Sequence, residues 1–388
     1  MAKISILYIL LKSYECMIHL PENDELDIAS LSAVFQNTTN SYKFYWFLAI
    51  LDSLKEDGNQ LILTKKDLAL RMLATVWYPL SFYKLSFGSQ DSFKDLANTI
   101  NSKVIIDDRI NAPDIMAQIS RKLSEKEVSD IEDLITEKLE RYVISRFIRP
   151  FFNSETRGLK DSIVNSKIQW LCDNLFEDKP NRVIYRITKE SIILNPIWVQ
   201  YLQKHQSILR GFIHWHLVRF VQKNNPNVIG LTEKLEKPVK RDLNLADRFW
   251  KGFLAENPDV SCIYSGQPVS RQNLSLDHFL PWSYVAHDQL WNIIPTSPSV
   301  NSSKGNSLPF FDLYFDKFSN LQFRAVQFYL EQPKSKLLVD YQQLLGENKL
   351  GDLSQEEFKI VLKKQFMPLL LTAQNMGFGL YIYGNPTQ

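Results

Sequence analysis

Asp277 and His278 stand side by side in this 388-residue sequence, and Pro281, Asn292, Asn301 and Lys304 follow at short intervals. A carboxylate and an amide oxygen brought to one point suit a hard divalent cation such as Mg²⁺ or Mn²⁺, with waters completing its shell. An imidazole beside them titrates near neutrality and can move a proton. Such a set needs elements that bring it together. "SLDHFLP" reads as a strand running into a proline-bounded loop, "LWNIIP" as a second strand, and "SPSVNSSKGN" as a short helix. Ser297 is placed to cap that helix, Pro298 to fill its first position and Gly305 to end it. Asn301 and Lys304, three apart, share one helical face. A helix packed on the two strands would let Asp277, His278 and Asn301 converge.

The order Asp277-His278, Pro281, Asn292, Asn301, Lys304 resembles the motif of the HNH endonuclease family over roughly residues 260 to 312. The resemblance implies a ββα-metal module that hydrolyses phosphodiester bonds. It implies that Asp277 and Asn301 hold a divalent cation, Mg²⁺ or Mn²⁺, against the scissile phosphate and the leaving 3′ oxygen. His278 would take a proton from the attacking water, Asn292 would fix the His278 loop through backbone hydrogen bonds, and Lys304 would hold a phosphate as a point charge. Many relatives brace this unit with a zinc knuckle of two Cys-x-x-Cys pairs. Here the first pair is Cys262 and Ser265 and the second is Ser297 and Val300, so structural zinc is not expected. Trp282, Tyr284, Leu290, Trp291, Ile293 and Ile294 are expected to supply the missing apolar mass, with Cys262 a small buried residue. His287 and Asp288 form a second imidazole–acid pair, read as surface or supporting residues outside the motif.

The formal net charge of +2 conceals an asymmetry. Across residues 141–251, Lys and Arg outnumber Asp and Glu by 20 to 10, whereas residues 1–140 carry 15 against 21 and residues 252–388 carry 10 against 12. A basic block of this kind suits a polyanion, because each neutralised phosphate releases counterions. Arg146, Arg149, Arg210 and Arg219 are its candidate nucleic-acid contacts, with DNA the expected partner. Three scattered cysteines exclude a disulfide framework and point to a reducing, cytoplasmic setting. The opening "MAKISILYILLKSYECM" faintly imitates a signal peptide without a small-residue cleavage site, and reads as a first helix or strand, or as a leader to a start at Met17. No membrane segment is expected. Glycine-rich phosphate loops and nucleophile elbows are absent, which removes the usual nucleotide hydrolases and serine hydrolases.

The rest of the chain predicts helices. "SYKFYWFLAILDSLKEDG" places Phe44, Phe47, Ile50, Leu51 and Leu54 at helical spacing; Thr64 and Asp67 cap a helix ending before Pro79; Ser124 and Glu127 cap another that runs to Pro150. "RVIYRITKESIIL" predicts a hairpin, Asn195 and Pro196 start a helix, and "SILRGFIHWHLVRFVQK" is an apolar helix whose His214 and His216 read as packing or surface residues. Ser354 and Glu357 cap a long helix that stops near Gly377. The expected class is mainly α with a small α+β part. The expected segments are a helical N-terminal domain (1–150), a basic central region (151–254), the HNH module (255–315) and a helical C-terminal region (316–388). "NTTNSYKFYWFLAIL" and "WYPLSFYKLSFGSQD" also resemble the leading region of large prokaryotic HNH proteins, which implies a restriction or anti-phage effector. Two alternatives stay open: a non-catalytic nucleic-acid-binding or interaction module on the same scaffold, and an RNase or nickase working in a larger complex; a protein partner or a homodimer is the further partner expectation.

Overall fold

A computed structural model describes residues 19–104, 106, 112–236, 241–332, 335–345 and 350–385; the reading of Met1 or Met17 as the start lies outside them. The protein is mainly helical with three small sheets among the described residues. Its contacts divide it into two compact units, residues 1–80 with 86–224 and residues 81–85 with 225–388. Of the expected segments, 1–150 falls mainly in the first unit, 151–254 in both, and 255–388 in the second.

In the first unit the helix Tyr42–Glu56 (α1) is buried on almost every side, with Trp46, Phe47, Ile50 and Leu51 in the interior. Its start is held by Asp91, whose carboxylate accepts from the Ser41 amide at 2.9 Å and the Ser41 hydroxyl at 2.5 Å. The strand Ile62–Thr64 (β1) runs into helix Lys65–Trp77 (α2), capped by the Thr64 hydroxyl accepting from the Asp67 amide. Helix Glu125–Tyr142 (α3) begins at the expected Ser124–Glu127 pair but stops eight residues before Pro150. The chain leaves helical geometry at Val143 (φ −125°), which lets Val143, Ile144 and Phe147 all reach the interior. Helix Asp161–Leu175 (α4) precedes the predicted hairpin, formed by Tyr185–Ile187 (β2) and Ser191–Leu194 (β3). The hairpin gains a partner that local pattern did not show. β1 pairs with β3, Leu63 opposite Ile192, which ties residues 62–64 to residues 191–193 within the first unit. Asn195 caps helix Pro196–Lys204 (α5), and Gln206–Asn224 (α6) follows, its His216 packed on Phe212 and Phe35.

In the second unit, helix Asn244–Glu256 (α7) precedes a two-stranded antiparallel ladder of Ser275–His278 (β4) and Ile293–Thr296 (β5). Helix Pro298–Lys304 (α8) follows β5, with the Ser297 hydroxyl accepting from the Val300 amide, Pro298 in the first turn and Gly305 at φ 51° after the last. Strand Leu308–Pro309 (β6), helix Phe311–Leu330 (α9), helix Gln355–Asn375 (α10) and strand Leu380–Tyr381 (β7) complete it, β6 and β7 pairing in parallel. The Ser354–Glu357 capping box is present in full.

The packing of this unit explains how so small a nuclease-like module is braced. Phe279, just past β4, stacks on Phe318 of α9 at 4.0 Å between ring centres and meets Phe366 of α10 edge-on; Trp291 also packs on Phe366. The Trp250 indole and the Gln322 amide both donate to the Ile293 carbonyl on β5, at 3.1 and 2.9 Å. Each such aromatic contributes on the order of 2 kcal/mol by burial. The C-terminal helices are therefore part of the module's own core. Where a zinc knuckle would stand, Cys262 lies against the Thr296 hydroxyl at 3.1 Å, Ser297 caps α8, and Val300 is buried.

Candidate active site

β4 sets Asp277 opposite Ile294 and His278 opposite Ile293, so these adjacent side chains leave opposite faces of the ladder. Asp277 meets α8: one carboxylate oxygen accepts from Lys304 Nζ at 3.0 Å, the other from the Tyr264 hydroxyl at 2.8 Å. Lys304 is 1% exposed, and its ammonium also donates to the His278 carbonyl at 2.7 Å. Burial, with the Asp277 charge beside it, pushes the Tyr264 phenol well above its usual range and keeps it a donor. Asn301, one turn before Lys304, donates its amide hydrogens to Ser275 Oγ (2.8 Å) and to the Leu276 carbonyl (3.0 Å). Its Oδ1 is left without a hydrogen bond among the described residues.

His278 is 4% exposed and held at both ring nitrogens. Nε2 lies 2.9 Å from Asp288 Oδ1, and Nδ1 lies 3.4 Å from Arg241 Nη2. An ionised carboxylate only accepts, so Nε2 carries the proton and Nδ1 presents the lone pair. Burial lowers the imidazole's proton affinity, and Arg241 adds to that effect, while the hydrogen bond to Asp288 opposes it; the net direction is downward, which favours the neutral ring at pH 7. His287 is a much weaker base, because burial, with His278 nearby, pushes it down to about 4. The exposed Arg241 guanidinium lies over the Trp282 ring at 5.0 Å, which positions it beside the His278 imidazole.

Asn292 is wholly buried and bonds the loop after β4. Its side chain accepts from the Leu280 amide and donates to the Leu280 carbonyl, both at 2.9 Å, and its own carbonyl accepts from the Phe279 amide at 2.7 Å. Asn292→Ala strands both backbone groups of Leu280, so urea unfolding should show a loss of about 2–4 kcal/mol. A change below about 0.5 kcal/mol would show that the loop holds itself.

Sequence and structure differ at four points. Lys304, expected to hold a phosphate, is sealed inside, because its ammonium is the counter-charge that lets the Asp277 carboxylate be buried. Asp288, left outside the motif, is the partner of the His278 ring; its adjacency to His287 was visible, but pairing with His278 needed the turn at Trp282–Val285 and Ala286, which sits at φ 54°. Arg241 and Tyr264 carry no local signal of a role at the site, one lying in a lysine-rich connector and the other two residues after Cys262. The four arginines of the basic block are also spread out. Arg146 and Arg149 reach the same carboxylate, Asp161, at 3.1 and 3.8 Å, while Arg210 is held by Asp52 at 2.5 Å and by Gln206, and Arg219 is exposed on α6.

Among the described residues no group of three or more His, Cys, Asp and Glu side chains gathers as a metal site. The donors present are one carboxylate, Asp277, and one amide oxygen, Asn301, anchored to the same stretch of β4. Oxygen donors of this kind suit a hard cation that keeps several waters, and each Asp277 carboxylate oxygen already accepts one hydrogen bond, from Lys304 or Tyr264.

Two antiparallel strands, a following helix, an Asp-His pair ending the first strand and an Asn on the helix define a ββα nuclease-type centre. Residues 262–310 match the HNH endonuclease family, so the chain carries an HNH-family module, and that family works with divalent metal ions on nucleic acid. No curated protein and no solved structure matches the chain. No described helix is long and apolar enough to cross a membrane.

Proposed function

We propose that the protein is a metal-dependent endonuclease that hydrolyses phosphodiester bonds of DNA, working in the cytoplasm as a restriction or anti-phage effector. The observation that carries this reading is the buried His278 ring, with Nε2 2.9 Å from the Asp288 carboxylate and Nδ1 turned toward the Arg241 guanidinium. Asp277 and Asn301 would hold Mg²⁺ or Mn²⁺, which when bound neutralises the phosphate and stabilises the leaving 3′ oxygen. Nδ1 of His278 takes the proton of the attacking water, and Asp288 stabilises the imidazolium that results. Arg241, next to Nδ1, holds a non-bridging phosphate oxygen, the role that sequence assigned to Lys304. Because Lys304 already offsets the Asp277 charge, the protein's own pull on a cation is modest, and substrate phosphate supplies the rest.

That same ion pair is the observation favouring the rival reading, a non-catalytic binding module, and plasmid cleavage separates them. Supercoiled plasmid should be nicked or linearised with Mg²⁺ or Mn²⁺, not with EDTA, and not by His278→Ala. Equal cutting by both proteins, or none by either on duplex DNA, single-stranded DNA or RNA, rejects the proposal. Asp288→Asn keeps the shape but loses the tautomer control, and cleavage should fall by about 10–100-fold. Undiminished cleavage would remove Asp288 from the mechanism.

A further inference from the structure

The first unit contains a cavity of about 630 Å³ that the nuclease centre does not use. It is lined by Thr38, Thr39 and Asn40 of the 36–40 loop leading into α1, and by Lys43, Arg146, Arg149 and Asp161. Three cations therefore face one carboxylate. Asp161 is exposed and spans both guanidiniums, so the cavity keeps an excess of about two positive charges.

That excess is held under unfavourable conditions. Lys43 is half-buried in the first turn of α1; burial first, then the neighbouring Arg149 and Arg146, push its ammonium down to about 8. Two of its three hydrogens go to the carbonyls of Val34 (3.0 Å) and Asn37 (3.1 Å). Arg146 Nε is buried with no hydrogen-bond partner among the described residues. Buried donors left unsatisfied and like charges placed together are both destabilising, and an anion in the cavity relieves both.

We propose that this cavity binds a phosphate monoester carried by a mononucleotide. Two excess charges match the roughly −1.5 to −2 charge of a phosphate monoester at pH 7, whereas a carboxylate or a backbone phosphodiester brings only one. Planar guanidiniums suit phosphate oxygens in pairs, and the ammonium adds a point charge. The volume lies within the usual range of about 300–1,000 Å³ for small-ligand sites. Thr38, Thr39 and Asn40 supply hydroxyls and an amide for sugar hydroxyls, and the Tyr142 ring lines the same cavity as a surface for a base. The site rests on residues of the first unit alone and stands whether or not the second unit cuts nucleic acid.

The test is calorimetric titration of the full chain with AMP, inorganic phosphate, adenosine, and one oligonucleotide with either a 5′-phosphate or a 5′-hydroxyl. AMP should bind with a dissociation constant below about 1 mM, phosphate more weakly, and adenosine not at all. Arg149→Gln, at a half-exposed position that keeps the fold, should weaken AMP about tenfold or more, and Lys43→Met should do the same. His278→Ala should bind AMP as the parent does, which separates this site from the nuclease centre. If neither AMP nor phosphate binds, if Arg149→Gln leaves binding unchanged, or if only the 5′-phosphorylated strand binds, the mononucleotide assignment is overturned.

Discussion

Replacing His278 with alanine should reduce the rate of metal-dependent DNA cleavage by about 10²–10⁴-fold, roughly 3–5 kcal/mol of transition-state stabilisation, with binding little changed. The size follows from what the ring does. Its Nε2 proton is committed to Asp288 at 2.9 Å, so Nδ1 is the basic atom, and it faces Arg241, where phosphate and attacking water would meet. Alanine leaves Asp288 and Arg241 in place but removes the proton acceptor, and water from bulk is not held in its stead. Single-turnover cleavage of a labelled duplex at saturating Mg²⁺ measures the chemical step, with gel shift in Ca²⁺ reporting binding separately. A loss smaller than about tenfold would assign the proton to another group. Arg241→Ala offers a second readout, because it should weaken binding of the scissile phosphate and leave the tautomer intact.

Lys304→Ala should destabilise the second unit by about 3–5 kcal/mol and abolish cleavage, although the buried Lys304 ammonium makes no contact with substrate in the proposed mechanism. That ammonium is packed against Asp277 at 3.0 Å and the His278 carbonyl at 2.7 Å. Removing it leaves a buried carboxylate with one neutral donor, Tyr264, and frees the backbone that carries His278. The double substitution Lys304→Met with Asp277→Asn removes both charges while keeping volume, and should recover most of the stability without recovering activity. Urea denaturation followed by tryptophan fluorescence measures the first quantity and plasmid nicking the second. If Lys304→Ala costs less than about 1 kcal/mol, the ion pair is not what holds β4 to α8.

Sequence by itself determined the local parts. The two strands and capped helix around Asp277, His278 and Asn301 were legible because proline, serine and glycine act on their immediate neighbours, and capping signals such as Ser354–Glu357 need only three residues of chain. The replacement of three of the four knuckle cysteines, at Ser265, Ser297 and Val300, was equally plain, since it needed only residue types. The pairing of β1 with β3, the grouping of α9 and α10 with the nuclease module, and the partners of His278 were decided by tertiary structure alone. Each depends on groups brought together across long stretches of chain: Thr64 with Ser191, Phe279 with Phe318 and Phe366, Arg241 with His278. Lys304 shows the reason most clearly. Its spacing from Asn301 revealed which helix face it occupies, but only the packing of that face onto β4 turned a lysine expected at a phosphate into the buried counter-charge of Asp277.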